Sequence, residues 1–164
     1  MTSETREMPH THFFHLFFPI TFALLVFLDV QFEISTILNV FIPVWVRLLI
    51  GGLFLTCAFF FIAVSHKILF GKTHSPPSQI IKSRIFGHVR NPMYLGILLV
   101  FIAVLIMSSS LIGTVYFIGI FLFYDKMARY EERKLEIMFG KEYQEYQKQV
   151  PKWIPRFSSP YRSN

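Results

Sequence analysis

Arg90-Asn91-Pro92-Met93-Tyr94-Leu95-Gly96 stands at the mouth of an apolar region that runs on to Tyr124, and Glu131-Glu132 follow just beyond its end. Asn91 before Pro92 reads as a helix start. Asparagine is a favoured N-cap, proline suits the first helical position, and the residue before proline is biased away from helix. The first amide groups of such a helix have no partner within it, and beside the Arg90 guanidinium they outline an anion-binding corner. Ser108-Ser109-Ser110 and Gly113 divide the apolar region, which therefore reads as a helical hairpin. Its second arm returns two carboxylates to the end where Arg90 lies.

Outward from this hairpin, the composition places the rest of the chain in a bilayer. Of 164 residues, 53% are hydrophobic and 18% aromatic, with a mean hydropathy of +0.47. A water-soluble domain of this size could not bury so much apolar surface. The expected fold is all-α: one membrane-embedded unit over residues 1–164, a bundle of about four transmembrane helices whose last two form the hairpin. The spans are placed at 13–30, 41–65, 93–109 and 111–130, with amphipathic cytoplasmic helices over 131–155. The run from Phe13 to Leu28 holds Pro19, follows only one basic residue, Arg6, and lacks a small-residue cleavage site, so it is read as a span and not as a cleaved signal.

Charge sets the orientation. Lys67, Lys72, Lys82, Arg84 and Arg90 fill the central loop, and most other basic residues follow Tyr124, whereas Asp29 to Pro43 has none. By the positive-inside rule, both termini and the central loop are expected to be cytoplasmic. The net charge of +6 lies beside the spans, which argues against nucleic acid as the partner. The fourth helix is expected to outlast the membrane and carry Asp125, Arg129, Glu131 and Glu132 into water. Beyond it, Leu135, Met138, Phe139, Tyr143, Tyr146 and Val150 recur at helical spacing around Gly140. These residues either lie on the bilayer or fold over the bundle mouth as a lid, with Trp153 at the interface. The first few residues and the tail after Phe157 are expected to be disordered.

Several polar residues have simple readings. A basic residue at a cytoplasmic helix end follows from topology, and Arg-Glu pairs at helical spacing stabilise a helix by only about 0.2–0.5 kcal/mol. Arg47 is close enough to Pro43 to snorkel outward. His10, His12, His15, His66, His74 and His88 show no metal-ligand spacing and are read as interfacial; no metal is expected. The single Cys57 lies in an apolar run and is read as facing lipid or packing in the core.

Taken together, IIKSRIFGHVRNPMYLG and, after the hairpin, YEERKLEIMFGKEYQEYQKQVPKWIP resemble the integral-membrane methyltransferases that include isoprenylcysteine carboxyl methyltransferase and bacterial phospholipid methyltransferases. The resemblance covers roughly Ile80 to Pro155. Its parts are Arg-x-Pro-x-Tyr-x-Gly, the paired glutamates, a Phe-Gly, Tyr143 and Tyr146, and Val150-Pro151. It implies an S-adenosylmethionine site on the cytoplasmic side. By the family pattern, Asn91, Pro92, Met93 and Tyr94 form the cofactor-contacting helix start, and Glu131 is the acidic residue that closes the site. Phe86 stands where the family often has tyrosine, and Gln79, Ile80 and Ile81 fall on the stretch that lines the cofactor pocket. Arg90 and Glu132 are the catalytic candidates. The chain departs from the pattern at Asn91, where well-known members have histidine, at Arg84, where many have a turn glycine, and at Met127, where carboxyl methyltransferases place an arginine.

The expected activity is methyl transfer from S-adenosylmethionine to a lipophilic acceptor, a prenylcysteine-like carboxylate, a lipid head group or similar, with membrane lipids as surroundings. Transfer from a sulfonium is an in-line displacement, so no nucleophilic triad is needed and none is present. Two alternatives remain at this point: an NADPH-dependent membrane reductase of sterol-reductase type, and a four-span transporter or scaffold without activity.

Overall fold

A computed structural model describes residues 11–70, 79–82 and 84–157. His10, His74, Lys72 and Arg6, together with the tail after Phe157, fall outside the described residues. Five α-helices account for most of the remainder: α1 (Thr11–Gln31), α2 (Val44–Phe70), α3 (Pro92–Ser108), α4 (Leu111–Phe139) and α5 (Lys141–Gln149). Two short 3₁₀ turns, Ile37–Val40 and Arg84–Gly87, precede α2 and α3, and no strand occurs among the described residues. Three of the helices, α1, α2 and α4, are long and apolar enough to cross a membrane, and α3 is a shorter apolar helix of 17 residues. The chain is an integral-membrane helical bundle.

The hairpin turn is made by the serines. Ser109 takes the left-handed conformation, φ +55°, that ends α3, and its amide donates to the Leu105 carbonyl. Ser110 then caps α4, accepting from the Gly113 amide at 2.8 Å. Helix α4 continues without a break through Tyr130 to Phe139, so the fourth helix runs on past residue 130 and carries Asp125, Arg129, Glu131 and Glu132 in one piece. The break comes at Gly140, whose φ of +55° suits a residue without a Cβ.

Small residues spaced by seven join α2 to α3. Gly51, Ala58 and Ser65 are buried on α2, and Gly96 and Ala103 on α3. A Cβ on Gly96 would come within 2.7 Å of Ile62 Cγ1 and 3.0 Å of the Ala58 carbonyl, so the two backbones touch there. Without a hydrophobic driving force between helices in lipid, such close approach is what holds them together. The other faces of α1 and α2 expose Phe13, Leu24, Leu49, Leu53, Phe59 and Phe60, as lipid contact requires. Cys57 is exposed on the same outer surface.

The remaining core lies between α1, α3 and α4. Phe22 and Val26 of α1 pack with Tyr94, Leu98 and Phe101 of α3 and with Ile120, Tyr124, Met127 and Ala128 of α4. At one end of the bundle Asp29, 1% exposed, ties three segments. It accepts from the Ser35 amide at 2.7 Å, from the Ser35 hydroxyl at 2.6 Å and from the Ser110 hydroxyl. Ser35 in turn accepts from the Ile112 amide at 3.0 Å. A buried charge is tolerable only with its lone pairs satisfied in this way.

Candidate functional site

At the opposite end, a cleft opens among the end of α2, the segment before α3, the α4 stretch around Glu131-Glu132, and α5. Gln79, Ile80, Ile81, Phe86, Arg90, Asn91, Glu131 and Glu132 all line it, joined by Leu69, Leu135, Phe139, Tyr143 and Tyr146. The cleft measures about 490 Å³ including its part open to solvent. Eight of the eleven candidate residues named from the sequence thus meet in one place. Pro92, Met93 and Tyr94 do not line it; they form the first turn of α3 directly behind it.

The Arg90 guanidinium is turned into the protein. Its Nε donates to Glu132 Oε1 at 2.9 Å and its Nη1 donates to the carbonyls of Gln147 at 2.8 Å and Val150 at 3.0 Å. The backbone amide of Arg90 adds a bond to the Pro151 carbonyl at 3.0 Å. One arginine therefore binds the start of α3, the middle of α4 and the end of α5. The side chains of Arg90 and Glu132 are 13% and 9% exposed, so solvent screens this pair little. This finding differs from the anion-binding corner anticipated from the sequence, because the guanidinium is occupied by Glu132 and by carbonyls.

Asn91 precedes Pro92 as expected but makes no side-chain cap. Its Nδ2 donates instead to Glu132 Oε1 at 2.9 Å. The Tyr94 hydroxyl donates to Glu131 Oε1 in a short contact. The two glutamates thus have different surroundings: Glu132 is neutralised by Arg90, while Glu131 accepts from a phenol and borders the cleft.

Of the two arrangements considered for the C-terminal segment, α5 takes the one that folds over the bundle mouth. Tyr143, Tyr146 and Val150 are buried against Ile80, Leu135 and Phe139. The Tyr146 hydroxyl donates to the Phe86 carbonyl at 2.6 Å, and Lys82 reaches Glu142 at 2.6 Å. The next residues fold back onto α4, where Lys152 Nζ and Trp153 Nε1 both donate to Asp125 Oδ1, at 2.6 and 3.0 Å. Arg84, at φ +56°, occupies a left-handed position that glycine adopts without strain.

One feature of the site's surroundings was missed. His15 of α1, read from the sequence as interfacial, has its ring stacked with Tyr94 at 6.1 Å and its Nδ1 3.2 Å from the Tyr124 hydroxyl. The signal was present: His15, Phe18, Phe22, Val26 and Asp29 recur at spacings of three and four on α1, and all face inward. Among the described residues no cluster of metal-ligating side chains occurs.

A family model described as phospholipid methyltransferase matches residues 33–142, two thirds of the chain, taking in α2, α3 and α4 with the cleft residues they carry. The chain belongs to that family. It is a membrane methyltransferase, as the resemblance anticipated. No curated protein and no solved structure matches it. All of α1, with His15, and nearly all of α5 lie outside the match.

Proposed function

We propose that the cleft binds S-adenosylmethionine and that the acceptor is the amine-bearing head group of a phospholipid, reached from the bilayer. The observation that carries this reading is the convergence of Asn91, Glu131 and Glu132 with the start of α3 in one cleft at a lipid boundary, within the family match. When bound, the cofactor would supply a methyl group on a sulfonium.

The side chains present suit such a molecule. It carries an ammonium and a sulfonium, and Glu131 is a carboxylate on the cleft wall that can meet such positive charge, while Glu132 is held by Arg90. Phe86, Phe139 and Tyr143 offer ring surface for a purine. Arg90 and Glu132 serve as positioning residues, fixing α3, α4 and α5 so that donor and acceptor meet in line. Tyr94 orients Glu131. An ammonium head group must shed a proton before its nitrogen can attack, and Glu131 is placed to hold it. Helix α5 and the residues following it exclude water from the cleft. The distribution of basic residues supports a cytoplasmic cleft and cytoplasmic termini.

The test is calorimetric titration of detergent-purified protein with S-adenosylmethionine, S-adenosylhomocysteine and NADPH. It is followed by transfer of labelled methyl to phosphatidylethanolamine and, separately, to a prenylcysteine carboxylate. Saturable binding of the first two, absent in Glu131→Ala, with label in the amine lipid, is the expected result. A folded protein that binds neither, or labels only the carboxylate, overturns the reading.

A further inference from the structure

Far from this cleft, Arg47 poses a separate problem. It lies in the first turn of α2, whereas Leu69 at the cleft lies 22 residues further along the same helix, about 33 Å away at 1.5 Å per residue. The guanidinium does not extend straight out to water. Its Nη1 donates to Asn39 Oδ1 and, at 3.0 Å, to the Met107 carbonyl near the end of α3. Those bonds account for one nitrogen. Nε is buried with no hydrogen-bond partner, and among the described residues no carboxylate pairs with Arg47. Of the two acids at that end of the bundle, Asp29 is taken up by Ser35 and Ser110, and Glu33 forms no ion pair with Arg47 among the described residues. A positive charge at membrane depth without a counter-ion is costly, which makes it a mark of function by default.

Arg47 also lines a groove of about 630 Å³, open to the surroundings, whose walls include Leu38, Ile42, Ile50, Leu105 and Leu111. Leu38, Ile42, Ile50 and Leu111 are all exposed on the lipid side. Ser109, whose hydroxyl can donate, borders the same groove. A bound molecule must therefore bring a negative charge and apolar chains together, and must arrive laterally.

We infer that this groove is a binding site for an anionic phospholipid, its phosphate set against Arg47 and Ser109 and its acyl chain along the leucine and isoleucine walls. The site lies at the end of the bundle remote from the cleft and is independent of the acceptor chosen there. The lipid supplies the counter-ion that Arg47 lacks among the described residues, and its chain covers the groove that the segment before α2 leaves open with α2, α3 and the start of α4.

The test uses delipidated protein in neutral detergent, with lipid retention read by native mass spectrometry and stability by thermal unfolding. The probes are phosphatidylglycerol, phosphatidylcholine with the same chains, and inorganic phosphate. Both lipids offer a phosphate for charge-assisted hydrogen bonds, but only phosphatidylglycerol brings a net negative charge, since the choline ammonium cancels that of phosphatidylcholine; phosphatidylglycerol is therefore favoured by about tenfold, and the preference is lost in Arg47→Gln. Arg47→Lys keeps part of it. Leu38→Trp, which fills the groove while keeping the charge, lowers retention of phosphatidylglycerol and leaves the fold intact, so the proposal stays testable if Arg47→Gln does not fold. Equal retention of the two lipids by the wild-type protein overturns the site. Stabilisation by inorganic phosphate equal to that by phosphatidylglycerol overturns the lipid and leaves an anion site only.

Discussion

Replacing Glu132 with glutamine keeps the side-chain volume and removes only the charge, leaving the Arg90 guanidinium buried among α3, α4 and α5. Removing one partner of a buried ion pair costs about 3–5 kcal/mol, because the other is left uncompensated. Arg90 retains the Gln147 and Val150 carbonyls as acceptors, and the new amide oxygen can still accept, so the lower end, about 3 kcal/mol, applies. Those carbonyls belong to the end of α5, and the loss therefore falls on its docking. At 1.4 kcal/mol per decade, α5 should open about a hundredfold more often. Hydrogen exchange of the purified protein, followed by mass spectrometry over Lys141–Gln149, reads this directly. Glu145→Gln is the control: its pair with Lys148 has side chains 60% and 70% exposed, and exposed pairs contribute at most about 1 kcal/mol. Unchanged exchange over α5 in folded Glu132→Gln protein would refute the role given to this pair.

Arg84→Gly relieves a left-handed residue at a cost of some unfolded-state entropy, and should raise stability by about 0.5–1 kcal/mol, visible as a higher unfolding midpoint in detergent. Gly96→Ala places a methyl 2.7 Å from Ile62 Cγ1 and should destabilise by about 1–3 kcal/mol, whereas Gly119→Ala, with nothing within 4 Å, should lose none. A common effect from both in thermal unfolding would remove the case for backbone contact between α2 and α3. Asp29→Ala strands the Ser35 amide and two hydroxyls and should cost about 2–3 kcal/mol, with S-adenosylmethionine affinity in the surviving folded fraction unchanged. Tyr94→Phe should weaken that affinity while leaving the unfolding midpoint within a degree or two, since the bond to Glu131 is removed and the buried ring is kept.

Local signals made the frame of this protein readable. Asn91-Pro92 marks the start of α3 within a residue, and the three serines mark the turn into α4. Pro43 sets the start of α2 at Val44, three residues later than hydropathy alone placed it, because the residues before it form a 3₁₀ turn. The apolar pattern could not reveal that Arg90 is consumed by a partner 42 positions away, or that Asn91 turns from capping its own helix to bonding Glu132. Such pairings depend on how α4 and α5 sit against α3, and periodicity gives the inward face of a helix but not its neighbour. The same limit hid His15, whose register on α1 was visible but whose partner, Tyr124, is 109 residues distant.

Helix α3, at 17 residues, is about 25 Å long, against about 40 Å for the 27 residues of α2 and about 30 Å for a bilayer's hydrocarbon. Arg47 meets Met107 about one turn in from the start of α2, and Gly96 meets Ile62 two turns short of its end, so α3 is recessed at both extremities. The first turn of α3 consequently lies below the rim formed by its longer neighbours. With a cleft that takes its acceptor from the bilayer, as proposed, this recess lowers a notch roofed by α5 toward the lipid head groups, and a lipid need not be lifted from its row to meet it. Turnover should then depend on membrane thickness, falling as longer acyl chains draw the head groups away from the floor of that notch.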